Sequence, residues 1–265
     1  MALDVQSLWD FDQPARSEAR FRDALDQAQG DDALVLRTQI ARTFSLRGRF
    51  EEAHRELDAV EALLPTAGPE PKVRALLERG RTWRSARQPA QSRPLFERAF
   101  VQAEAAGLVG LAADALHMVA LVADGTEAQI AAHRKLIAYA RGSADPKARH
   151  WEAPGLNNLG VTLNEAGRHD EALAVFREAL SVRERQGDAG EVRVARWMVA
   201  HTLRLLGRLD EALALQLDLE RQCQAAGAAD PYVFEELALL YQARGDADRA
   251  AHYQALQHLA GAQGS

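Results

Sequence analysis

Apolar residues recur at helical spacing along most of the chain, and each run stops at a glycine or proline. Leu156, Leu159, Gly160 and Leu163 share one helix face, as do Val199, Ala200 and Leu203. The same pattern returns as Ile40, Ala41, Phe44, then Leu76, Gly80, Trp83, then Phe234, Leu237, Ala238, Tyr241. Each set holds one small residue, as close helix–helix approach requires. A polar turn follows. Arg47-Gly48-Arg49-Phe50-Glu51-Glu52-Ala53 matches Ala166-Gly167-Arg168-His169-Asp170-Glu171-Ala172 and Leu206-Gly207-Arg208-Leu209-Asp210-Glu211-Ala212. Arg244-Gly245-Asp246-Ala247-Asp248-Arg249-Ala250 is a looser copy. The glycine ends one helix because it takes positive φ freely. The acidic residues favour the amino terminus of the next. A second apolar face then appears, as Ala172, Phe176, Ala179, as Ala53, Leu57, Val60 and as Ser92, Phe96, Ala99.

This period of pattern predicts an all-α chain of helix–turn–helix units. A capping helix is expected at 14–29, and hairpins at about 33–65, 72–106, 108–141, 152–186, 192–226 and 231–259. The linkers at 65–71, 142–146, 187–190 and 227–231 are short, so residues 1–265 are expected to form a single repeat domain. The second hairpin places Pro94 inside its second helix, tolerable only near the first turn. The third lacks a turn glycine at the usual place, and Asp124-Gly125-Thr126 is its candidate turn.

The small–large–small order around a central glycine resembles tetratricopeptide repeats. It is clearest from Leu156-Asn157-Asn158-Leu159-Gly160 through Gly167, Ala172, Phe176 and Ala179. The period is about 40 residues rather than the usual 34 or so. In that it is similar to the repeats of kinesin light chains and related bacterial proteins. The resemblance implies an α-solenoid, a right-handed superhelix of about six hairpins. It also implies a protein that holds another protein or peptide, is not an enzyme and needs no cofactor.

Composition narrows the partners. A net charge of −6 does not suit a chain built to coat nucleic acid or a polybasic membrane binder. The single cysteine, Cys223, cannot form an internal disulfide, and a reducing cytoplasm is the expected location. Met1-Ala2-Leu3-Asp4 lacks the basic and apolar pattern of a signal peptide, and no apolar run approaches the roughly 20 residues of a membrane span. Arginine outnumbers lysine, which occurs only at 72, 135 and 147, a bias of GC-rich bacterial genomes. No nucleophile-elbow or zinc-protease motif is present. Glu51 with His54, and Asp114 with His117, have the spacing of metal-binding helix pairs, but chance placement on helix surfaces explains both, so no metal is expected.

Stacked hairpins leave their first helices lining a concave side. Subtracting the core positions leaves three rows. One runs Thr38, Leu77, His117, Asn157, Trp197, Glu235; the second Arg42, Arg81, Leu121, Val161, His201, Leu239; the third Ser45, Arg84, Asp124, Asn164, Arg204, Gln242. The candidate partner-binding residues are Arg42, Arg81, Arg84, His117, Asn157, Asn158, Asn164, Trp197, His201, Arg204 and Glu235. Asparagine amides both donate and accept, so they can hold a peptide backbone without reading its side chains. Arginine forks suit carboxylates, so the expected partner is a protein or extended peptide with acidic character toward Arg42, Arg81 and Arg84. Other readings stay open: the arginines could pair with local glutamates, Trp197 could be buried between hairpins, and the asparagines could be structural. The runner-up function is a bacterial regulatory sensor that binds a signalling peptide or small effector in the groove. The expected state is a monomer or weak homodimer.

Overall fold

The turns explain the helices. The computed structural model describes residues 3–263; Met1 and Ala2 of the amino-terminal segment, with Gly264 and Ser265, lie outside the described residues. Among the described residues all regular structure is helical. At the end of α9 (Glu152–Glu165), Gly167 takes φ +73° and donates to the Asn164 carbonyl at 3.0 Å, while Arg168 donates to Leu163 at 2.9 Å. Those bonds satisfy carbonyls that the helix end leaves open. Arg168 then sits at the N-cap of α10 (His169–Gln186) and forks onto Glu171, with both contacts at 2.7 Å. Arg208 and Glu211 repeat the fork at the start of α12 (Leu209–Ala225). The recurring Gly-Arg-x-x-Glu pattern is therefore one turn geometry reused.

The chain divides into two compact units, 1–151 and 152–265. In the first, α1 (Pro14–Leu25) packs on α2 (Gly30–Leu46), which pairs with α3 (Phe50–Glu61). Next come α4 (Pro69–Ser85) with α5 (Pro89–Ala105), α6 (Val109–Leu121) with α7 (Thr126–Gly142), and the short α8 (Pro146–Arg149). The third hairpin turns at Gly125, φ +82°, within the segment expected from the sequence. The α4–α5 turn has no glycine. Arg87 adopts φ +59° there, which is strained for a residue with a side chain. The second unit holds α9 with α10, α11 (Ala189–Leu205) with α12, and α13 (Pro231–Ala243) with α14 (Ala247–Gln263).

Two hairpins, α4 with α5 and α9 with α10, close through a glycine facing a phenylalanine. A Cβ added at Gly160 would lie 2.6 Å from the Phe176 ring, and one at Gly80 would lie 2.4 Å from Phe96. Both phenylalanines are fully buried. The first helices also pack beside one another, α2 against α4 and α4 against α6. That contact buries Thr38, Ser45 and Leu77, which the sequence rows put on an open face. The amino-terminal segment folds onto the first hairpin: Trp9 meets Phe21 edge-on at 5.0 Å and donates to Gln39 at 3.1 Å. Among the described residues no helix is long and apolar enough to cross a membrane.

Candidate functional site

In unit 1 the first-helix face carries an alternating row of charges. Arg42 of α2 lies 3.6 Å from Glu78 of α4, which is only 2% exposed. Arg81, one turn along, donates to Glu78 at 2.7 Å and also to Asp114 of α6. Burial would push the Asp114 carboxyl up, but the Arg81 guanidinium outweighs it and holds the group below the usual carboxylate range. Burial lowers the Arg42 pKa, and Arg81 adds to that. The rings of Trp9 and Phe11 stack on each other at 4.6 Å, and the Arg42 guanidinium lies 5.3 Å from each. The His117 and Trp151 rings meet at a tilt of 35° with centroids 4.7 Å apart, and burial holds the His117 pKa down to about 4. Arg81 and Arg42 are thus committed to internal carboxylates. Arg84 is exposed and has no ion-pair partner.

In unit 2 the equivalent face is built by α9, α11 and α13. Trp197 stacks on His201 at 5.0 Å and donates its indole N–H to the Tyr232 carbonyl at 3.0 Å. Glu236, 1% exposed, accepts from His201 Nδ1 at 3.0 Å and from Arg204 Nε at 2.5 Å. Burial alone would raise the Glu236 pKa; those two hydrogen bonds reverse the sign and keep the carboxylate charged. Asn164 is also committed, donating to Thr202 Oγ1 at 2.8 Å and lying 3.0 Å from His169 Nδ1. Asn157 and Asn158 differ. Both are half-buried, and among the described residues neither side-chain amide has a hydrogen-bond partner. They line a small pocket of about 160 Å³ with Pro154, Arg183, Val194 and Ala195. Arg183 is held by Glu191 at 2.9 Å.

The structure therefore brings Trp197, His201 and Arg204 together, and separately Asn157 with Asn158. Glu235 is exposed, and Glu236, its neighbour, meets His201 and Arg204. The carboxylates Glu78, Asp114 and Glu236 were missed as site residues. Glu78 precedes Arg81 by one helical turn, a spacing visible in the sequence; the pairings across helices were not. The two spacings with metal-site character are also engaged: His54 Nδ1 lies 2.9 Å from Arg79, and Asp114 is held by Arg81. Among the described residues no group of three or more His, Cys, Asp or Glu side chains could hold a metal ion.

A family model described as tetratricopeptide repeat matches residues 151–225. Residues 151–225 thus carry the tetratricopeptide-repeat pattern. Solved structures of that kind share the fold at low identity. The apo form of RapI is 9% identical, with a TM-score of 0.76 over 95% of this chain and 73% of its own. A signal transduction ATPase with numerous domains and a tetratricopeptide repeat sensor, from Pyrococcus horikoshii, is 11% identical with a TM-score of 0.74. That match covers 93% of this chain but 39% of the ATPase. A Rap protein complexed with competence and sporulation factor is 14% identical, with a TM-score of 0.63 over 97% of this chain and 74% of its own. No curated protein matches the sequence. The chain thus has the all-α, solenoid-class fold of these structures.

Proposed function

We propose that this protein is a non-catalytic cytoplasmic scaffold that holds an extended segment of a partner polypeptide, and that the segment lies on the α9, α11 and α13 face of unit 2. One observation carries the reading. Asn157 and Asn158 keep their amides free, while Asn164, His201 and Arg204 are engaged within the protein. Free amides at half-buried positions match the alternating donors and acceptors of an extended backbone. Trp197 and its exposed neighbour Tyr232 supply apolar surface for an anchoring side chain. Glu236 fixes His201 and Arg204, so the face is set before a partner arrives.

In unit 1 the acidic preference rests on Arg84, because Arg42 and Arg81 are neutralised by Glu78 and Asp114. Those two arginines and His117 shape the face rather than recruit charge. The Rap complex with competence and sporulation factor shows that a protein of this fold can hold a separate ligand. The test starts with affinity purification to identify a partner and its bound segment. Replacing Asn157 and Asn158 together by alanine removes two to four hydrogen bonds at about 1 kcal/mol each, so affinity falls roughly 30-fold or more. Unchanged affinity in that variant, with an unchanged melting curve, contradicts the placement.

A further inference from the structure

The opposite side of unit 1 carries a trench unrelated to the face above. Its floor is the outer stripe of α4, where Lys72, Leu76, Arg79 and Trp83 follow one another at helical spacing. Its far wall is α5, with Gln91, Leu95, Arg98 and Gln102 in the same rhythm. Leu64 and Pro65 line it near the end of α3, and its volume is about 660 Å³. The trench exists because α3 has 12 residues where α5 has 17, so the layer of second helices stops short beside α5. From Lys72 to Trp83 the floor advances eleven residues, about 16 Å of helix. That is an elongated slot of about three helical turns rather than a compact small-molecule cavity.

Charge selects the occupant. Arg79, in the middle, is already held by Asp58 at 2.6 Å and Glu61 at 3.1 Å. Trp83 is fixed against His54, with ring centroids 4.1 Å apart. Lys72 and Arg98 line the same trench, and among the described residues neither has a carboxylate partner. Two such cations beside Leu76 and Trp83 of the floor and Leu95 of the wall are the complement of a surface that alternates carboxylates with bulky apolar side chains.

We propose that this trench docks a short acidic amphipathic helix from a partner protein, its apolar face on Leu76, Trp83 and Leu95 and its carboxylates on Lys72 and Arg98. The occupant extends the row of second helices that α3 leaves incomplete, by the helix-in-groove mode. It is a second site, independent of the Asn157 and Asn158 face.

The experiment is a selection from a random 16-residue phage-displayed peptide library on the full chain, with subtraction against the Lys72→Glu/Arg98→Glu double variant. Neither substitution removes an ion pair, so the variant keeps the wild-type circular dichroism and melting curve. The expected peptides carry Leu or Phe at i, i+3 or i+4, and i+7, with Asp or Glu between them. As labelled synthetic peptides they bind wild type at least tenfold tighter than the double variant by fluorescence anisotropy. Asn157→Ala leaves that binding unchanged, and exchanging their acidic residues for lysine reverses the preference between the two proteins. The proposal is overturned if no selected peptide distinguishes the two proteins, or if those that do lack the acidic and apolar pattern. Loss of binding in Asn157→Ala also overturns it, by placing the peptide on the other face.

Discussion

Gly160 gives the sharpest test of how the hairpins close. In Gly160→Ala the new methyl lies 2.6 Å from Cε1 and Cζ of Phe176 and 2.8 Å from Cε2. Ordinary carbon contacts begin near 3.5 Å, so about 1 Å must be found. Spinning the ring cannot supply it, because Cζ lies on the axis of that rotation. Phe176 is fully buried and has no space to retreat into. Either α9 and α10 separate or the side chain leaves its rotamer, at a cost of about 1–3 kcal/mol. Against this, alanine recovers about 1 kcal/mol of helix propensity. The net effect is a destabilisation of up to about 2 kcal/mol, read from urea unfolding followed by circular dichroism. Shortening the ring in Gly160→Ala/Phe176→Leu relieves the overlap, so the two substitutions together cost less than their sum by about 1 kcal/mol. Gly142→Ala is the control: its Cβ meets nothing within 4 Å, and stability stays level or rises. If Gly160→Ala is more stable than wild type, the close contact between α9 and α10 is refuted.

Gln216 stands in α12 where Phe176 stands in α10, fully buried and with neither amide atom hydrogen-bonded in the protein. Gln216→Leu removes that desolvation penalty and raises stability by about 1–2 kcal/mol in the same unfolding assay; a loss shows that the amide is satisfied by an internal water. Acid weakens unit 1 through His133, which is 2% exposed and whose pKa burial lowers from 6.5 to about 4. The folded state refuses a proton that the unfolded chain accepts, so this stability is complete above pH 6.5 and is lost as pH falls toward 4. The full effect is about 3 kcal/mol. His117, held down to about 4 in the same way, adds a similar loss, so His133→Gln lessens the fall in melting temperature between those limits without removing it, and an unchanged pH slope counts against the assignment. Below that range Asp114 and Glu236, both held charged by arginine, add their own loss as they protonate.

The helices were legible because local signals agreed. Glycines such as Gly167 and Gly207 take φ +73°, and the arginine after each forks onto a glutamate in the first turn of the next helix. Gly160 and Phe176 were legible as a small and a large residue in matching places. Arg87 shows the limit of that reading, since its turn forms with no glycine to announce it. The candidate site was legible only as a face. Helical periodicity assigns a direction to each side chain but says nothing of which neighbour reaches across from the next hairpin. Thus Arg81 reads as a groove cation that either meets a partner or pairs with a local glutamate, and only the structure shows it held by Glu78, one turn before it, and by Asp114 from α6. Glu235 read as a groove carboxylate, while Glu236 takes His201 and Arg204. Asn157 and Asn158 keep free amides because nothing on α11 reaches them as Thr202 reaches Asn164.

The most direct measurement is a crystal structure of the full chain with its partner segment bound. The account predicts that the segment runs along α9, α11 and α13. Its backbone amides and carbonyls would lie about 3 Å from the side-chain amides of Asn157 and Asn158, with an apolar residue against Trp197. A segment seated only on the second helices, leaving both asparagines to solvent, contradicts it.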